Sequence, residues 1–199
     1  MSGTFPISSA QFTAYNVKSI QDTILSKSVS GKKLSRQIDG QRWGFTARIV
    51  TAKRSDVYGE LMAFIVKQRS GKENFTIIPP EVTNARGTAS GVPTGTASAG
   101  ATSITLGGTG TGTLKAGDFI KFASHDKVYM VVADQSDIST GTLTIEPPLT
   151  TAITTSIIIY DNVPFTVYLT NDIQEFGVVG NDKDGNLLYQ FEIDVEEAL

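Results

Sequence analysis

The chain has 199 residues, a formal net charge of −3, 40% hydrophobic residues and no cysteine. That length fits one or two domains with a real core. The near-neutral balance gives no general case for nucleic-acid binding. The lack of cysteine excludes disulfides, thiolate metal sites and cysteine nucleophiles, and fits assembly in a reducing cytosol. No run of about 18 apolar residues is present, so no membrane-spanning helix is expected. Met1-Ser2-Gly3-Thr4 does not open a secretory signal.

The first readable segment, residues 27–37, is polar, alternating and interrupted by Gly31, and reads as an exposed strand. Asp39-Gly40 follows as a turn. In 43–50, Trp43, Phe45, Ala47 and Ile49 share one face while Thr46 and Arg48 take the other, the pattern of a half-buried strand. One helix is expected over about 55–70. Ser55 is its candidate N-cap and Asp56 suits the first turn. Val57, Leu61, Phe64 and Ile65 form its apolar stripe, and Gly71 is the candidate left-handed stop. Too short to be stable alone, it must lie on a sheet. Phe75-Thr76-Ile77-Ile78 is a strand ended by Pro79-Pro80.

Residues 87–114 then carry no charge at all, with eight Gly, eight Thr, four Ala and three Ser among 28 residues. A small-residue tract in mid-chain reads as the arm of an insertion, either a hinge or a packed strand. Strands are expected at 101–106, 119–122, 127–133, 142–145 and 157–160. Their spacing, with Gly, Asp, Ser and Pro between, points to a small barrel or sandwich. The earlier pattern resumes at Phe165. Residues 165–169 alternate, and in 187–195 Tyr189, Phe191, Ile193 and Val195 share a face. Asn181-Asp182-Lys183-Asp184-Gly185-Asn186 is a hairpin turn by composition. The expected fold class is therefore mainly β with one α-helix. A sandwich- or barrel-like parent domain (1–83 plus 163–199) is interrupted by a small inserted β-module (84–162).

Charge is unevenly placed. Residues 27–72 hold eleven Lys/Arg against three Asp/Glu, and residues 161–199 hold one Lys against nine Asp/Glu. Two readings stay open: faces of one domain that neutralise each other, or a head-to-tail contact between neighbouring subunits.

Candidate chemistry is sparse. Gly107-Gly108-Thr109-Gly110-Thr111-Gly112 lacks the Gly-Lys-Ser/Thr and the following helix of a phosphate loop. Aligned as a calcium loop on Gly185, the segment with Asp182 and Asp184 has Gly180 and Phe191 where oxygen ligands are needed. His125 is the sole histidine. Its neighbours Ser124, Asp126 and Lys127 cannot face it as a triad, and one imidazole makes no zinc site. Lys32, Lys33, Arg36, Arg42 and Arg48 could touch phosphates, but Trp43 and Phe45 point to the opposite face. Phe119, Phe122, Tyr129 and Tyr160 could stack on sugars in a carbohydrate-binding module, or belong to a core. No catalytic, cofactor or metal residue is assigned, and no enzyme is expected.

The order of several segments carries a resemblance. These are Val29-Ser30-Gly31-Lys32 leading into Gly40-Gln41-Arg42-Trp43-Gly44-Phe45-Thr46, and the helix with Leu61-Met62-Ala63-Phe64. Ala85-Arg86-Gly87-Thr88-Ala89, Leu114-Lys115-Ala116-Gly117-Asp118-Phe119-Ile120 and Lys127-Val128-Tyr129-Met130-Val131 follow. Leu143-Thr144-Ile145-Glu146-Pro147-Pro148-Leu149 and the closing 191–199 complete it. Together they resemble the distal tail protein family, and related minor tail or baseplate proteins, of long-tailed bacteriophages. The resemblance implies a structural virion protein at the distal end of the tail, assembled in the host cytoplasm. It also implies a homo-oligomeric, hexameric ring joining the tail tube protein to the baseplate hub. Tail fibre or peripheral baseplate proteins are further partners, and DNA meets the ring only in passage. Another tail-tip or tail-completion protein is the alternative in the same class. If DNA passes a lumen, Glu192, Asp194, Glu196 and Glu197 are the acidic side chains expected to line it.

Overall fold

A computed structural model describes residues 3–6, 12–37, 40–82 and 84–199. Apart from one separate hairpin, the strands before residue 78 and after residue 164 build one antiparallel sheet. They are β1 (Phe12–Ile20), β4 (Arg42–Lys53), β5 (Phe75–Ile77), β12 (Phe165–Leu169), β13 (Gly177–Asn181) and β14 (Leu187–Glu197). The order is β1-β4-β14-β12-β5, with β13 on the first half of β14. Alternation dictates the register. Phe45 lies opposite Val195, Ala47 opposite Ile193 and Ile49 opposite Phe191, so the apolar sets of β4 and β14 share one face. All six are buried.

Helix α1 (Gly59–Lys67) covers that face with buried Leu61 and Ile65. Phe64 meets Phe75 and Phe5 edge-on, with ring centroids 5.4 and 5.8 Å apart. Each such side chain taken from water contributes about 2 kcal/mol. A single sheet backed by a helix thus stands where a sandwich or barrel was expected.

The helix is also shorter than the sequence suggests. Residues Arg54–Tyr58 form a π-type turn in which Asp56 leaves helical geometry (φ −92°, ψ −125°), so regular helix starts at Gly59. The Ser55 hydroxyl contacts Asp56 at 3.4 Å and caps no amide. At the far end the left-handed residues are Arg69 (φ 53°) and Ser70 (φ 60°), not Gly71. Glycine is required at 71 for another reason: a Cβ there would lie 2.6 Å from the Leu169 carbonyl oxygen.

The segment expected as one exposed strand is a hairpin. β2 (Thr23–Lys27) pairs with β3 (Lys33–Gln37) through a turn with Gly31 at φ 81°. The Asp39-Gly40 turn lies partly outside the described residues. β1 and β4 pair as far as Ile20 and Arg42, and β2 and β3 resume at Thr23 and Gln37. The hairpin therefore continues the β1–β4 ribbon beyond the sheet as an arm. Every residue of both its strands is exposed.

Between the two halves of the sheet lies a closed barrel in the order β10-β7-β6-β11-β8-β9. Its strands are β6 (Pro93–Ala97), β7 (Ser103–Gly108), β8 (Phe119–Phe122), β9 (Val128–Val131), β10 (Thr142–Glu146) and β11 (Ile153–Ile159). Ile104, Leu114, Ile120, Phe122, Val131, Leu143 and Ile145 fill it, all fully buried. Composition hid β6, since Pro-Thr-Gly-Thr-Ala has little strand propensity. The uncharged tract folds back on itself, with β6 on β7 and Ser90 bridged to Thr111. Its small residues permit that approach: a Cβ at Gly95 would sit 2.8 Å from Ile104 and 3.0 Å from Phe122. The tract is packed strand, not a flexible linker.

Candidate assembly interface

Barrel and sheet meet at a buried polar junction. Glu197, near the end of β14, is 1% exposed, and Lys127, just before β9, is 3% exposed. The Lys127 ammonium bonds the Glu197 carboxylate and also donates to Gln41 Oε1 at 3.0 Å. The Val128 amide donates to Glu197 Oε1 at 2.7 Å, and the Trp43 amide to Oε2 at 3.2 Å. Trp43 Nε1 reaches the Val128 carbonyl at 2.9 Å. Burial pushes the Lys127 ammonium below its usual range and the Glu197 carboxyl above its own; their mutual attraction opposes both shifts. With three donors on one carboxylate, the ion pair is the arrangement this site satisfies best.

Apolar contacts continue the junction. Phe119 of β8 lies edge-on to Trp43 at 5.0 Å and to Phe165 at 5.8 Å. Val128 belongs to the sheet's core rather than the barrel's. The barrel is thus keyed to the sheet by directional bonds and packed rings.

The charge asymmetry resolves partly within one chain. Arg48 of β4 pairs with Glu192 of β14 at 2.9 Å, Lys53 pairs with Asp182, and Lys18 lies 3.6 Å from Asp194. Glu196 accepts from the Tyr168 hydroxyl at 2.9 Å. Of the four acids expected to line a lumen, Glu197 cannot, because it is buried under the barrel. The other three carry partners that reduce any repulsion of phosphate. Lys27, Lys32, Lys33 and Arg36 are different: they stand exposed on the arm, without an ion pair among the described residues.

The remaining sequence candidates fall to structural roles. His125 Nδ1 lies 3.2 Å from the Tyr129 hydroxyl, while Ser124 bonds Ser156 and Asp126 contacts Thr166 and Lys121. These neighbours point to different partners and form no triad. Burial holds the His125 imidazole below its usual range. Asp182 accepts from the amides of Asp184 and Asn186, closing the β13–β14 turn with Gly185 at φ 81°. Gly108, Gly110 and Gly112 pack against neighbouring backbone; a Cβ at Gly108 would lie 2.5 Å from the Val92 carbonyl oxygen. Phe122, Tyr129 and Tyr160 are buried, and Phe119 faces the sheet core, so none offers a face to a sugar. No cluster of metal-ligating side chains is present among the described residues, and no described helix is long and apolar enough to cross a membrane.

Residues 81–162 match the family model described as distal tail protein pb9, B domain. The barrel of this chain is similar to that B domain. The match supports a structural role in a bacteriophage tail for a chain that carries this barrel between the two halves of its sheet. No curated protein matches the chain. Sequence reasoning missed the Lys127–Glu197 key, because a Lys before a strand and a Glu near a terminus both read as solvated. The only available signal was their position at the ends of apolar strands.

Proposed function

We propose that this chain forms a closed homo-oligomeric ring, a hexamer, at the distal end of the phage tail. The ring joins the tail tube protein to the baseplate hub and the host-contacting tip. The observation that carries this reading is the B-domain match over 81–162. It is supported by the sheet and helix that flank the match, which the sequence resemblance assigns to the ring-forming part. In this reading residues 1–83 and 163–199 are the ring domain and 84–162 the decoration. The B domain is held outward by the Trp43–Lys127–Glu197 key. Assembly takes place in the host cytoplasm, and DNA meets the ring only as it passes.

A ring requires a heterologous contact that closes on itself. Free outer edges of β1 and β13 and the protruding arm supply surfaces for such a contact. Mass photometry and negative-stain imaging of the purified protein test the reading. The expected particle is a closed ring with a central hole wide enough for duplex DNA. A single-chain mass that persists in the presence of both tail tube protein and hub protein would sink it.

A further inference from the structure

The β2–β3 arm is built in a way that one chain cannot satisfy. A two-stranded hairpin alone is marginal in water. Here Lys27 lies directly opposite Lys33, with Lys32 beside them, a like-charge pairing that opposes the hairpin. Residues 23–37 contain four basic residues and no acid. On one face, Ile24 (55% exposed) and Leu34 (51% exposed) flank Arg36, which is Ile24's cross-strand partner. Exposed apolar side chains beside Arg36, which has no ion pair among the described residues, call for a surface that is both apolar and acidic.

Such a surface exists elsewhere on the same chain. An open groove of about 540 Å³ lies on the face of β4 and β14 turned away from α1. Ile173 (79% exposed) and Val179 (53% exposed) form apolar lips, and Glu175 supplies acid beside Glu192 and Asp194, which Arg48 and Lys18 pair within the chain. The arm cannot reach its own groove. It leaves β4 at Arg42, whereas the groove starts six positions further along β4 at Arg48, about 20 Å away in the opposite direction.

We infer that the arm of one copy seats in the β4–β14 groove of the next. Ile24 and Leu34 lie against Ile173 and Val179, and Arg36, on the same face of the hairpin, faces Glu175, while Lys27 and Lys33 stand on the hairpin's other face. The inference rests on the ring reading and names its contact. Donor and acceptor are different surfaces, so the contact is head-to-tail and propagates around a ring. Duplex DNA would satisfy the arm's charge but would leave Ile24 and Leu34 in water, which favours the protein partner.

An orthogonal pair of charge reversals tests it by mass photometry. The arm variant R36E and the groove variant E175K should each need at least about tenfold more protein to assemble. Mixed in equal amounts, they should assemble near the wild-type concentration, because each arm then meets only the opposite groove. A second measurement uses the absence of native cysteine. Leu34→Cys mixed with Val179→Cys should form an inter-chain disulfide several-fold faster than Leu34→Cys mixed with Ser98→Cys on the barrel. If the wild type assembles while both variants behave like it, the arm contact is wrong and the ring reading stands. If the wild type never assembles, both fall. Retardation of duplex DNA by the wild type that the arm variant loses, with assembly unchanged, assigns the arm to nucleic acid and overturns the proposal.

Discussion

Replacing Lys127 by Met isolates the energetics of the sheet–barrel key. The substitution keeps most of the side-chain volume and leaves the Glu197 carboxylate buried, with only the Val128 and Trp43 amides donating to it. Removing one partner of a buried pair costs about 3–5 kcal/mol. The two surviving amides place this case near the lower end, at about 3 kcal/mol at pH 7. The loss should depend on pH in a defined direction. Without Lys127, Glu197 has a folded pKa raised still further above its unfolded value of about 4.3. A carboxyl with a raised folded pKa contributes fully below the unfolded value, and that contribution disappears as pH rises through the folded value. The K127M penalty should therefore be small near pH 4 and grow toward neutrality. K127M/E197Q keeps an oxygen acceptor for the two amides without a buried charge, and should recover to within about 1–2 kcal/mol of wild type. Urea unfolding followed by tryptophan fluorescence measures this, since the sole tryptophan, Trp43, sits in the junction. A K127M cost below about 1 kcal/mol that is flat from pH 4 to 8 would refute the argument that Lys127 holds Glu197 ionised.

Gly95→Val should strain the barrel by about 1–3 kcal/mol, because its first carbon already falls 2.8 Å from Ile104; differential scanning calorimetry reads this as a lowered Tm. Ile65→Ala removes a fully buried helix side chain from the sheet core and should cost about 2–5 kcal/mol in denaturant unfolding. Lys53 and Asn186 hold the Asp182 carboxyl well below the usual carboxylate range. The support it gives the β13–β14 turn is thus complete above about pH 4 and lost as acid protonates it. Amide exchange of Asp184 and Asn186 should accelerate in that acid window, and Asp182→Ala should make it fast at all pH. Leu34→Ser on the arm should leave single-chain stability within about 0.5 kcal/mol while weakening assembly in the same preparation.

Strand legibility followed burial. Where one face meets a core and the other water, alternation survives in the sequence, as in Trp43, Phe45, Ala47 and Ile49 or Phe191, Ile193 and Val195. Strand β6 left no such trace, because Gly95 must be glycine to pass Ile104 and Phe122, which removes the apolar side chain a reader looks for. Strand β13, Gly-Val-Val-Gly-Asn, is an edge exposed throughout, with no periodicity imposed on it. The helix start was misplaced because Ser55 and Asp56 have capping chemistry, yet Asp56 departs from helical geometry. Among candidate site residues, the four acids of β14 looked equivalent in sequence. In the fold they separate into a buried key, two members of ion pairs and a tyrosine acceptor.

What the sequence determined alone was local: strand faces, the Asp182–Gly185 turn, the absence of cysteine chemistry, and the order of segments that resembles a tail protein. These depend on neighbours in the chain or on composition. Tertiary structure decided everything that depends on which distant residues meet. Lys127 and Glu197 are 70 residues apart, and only closure of the barrel against β14 brings them together. The basic and acidic segments neutralise across β4 and β14 but not on the arm, because register pairs Arg48 with Glu192 and leaves Lys27 opposite Lys33. Charge can be counted along a chain, but its partners are set by pairing in space.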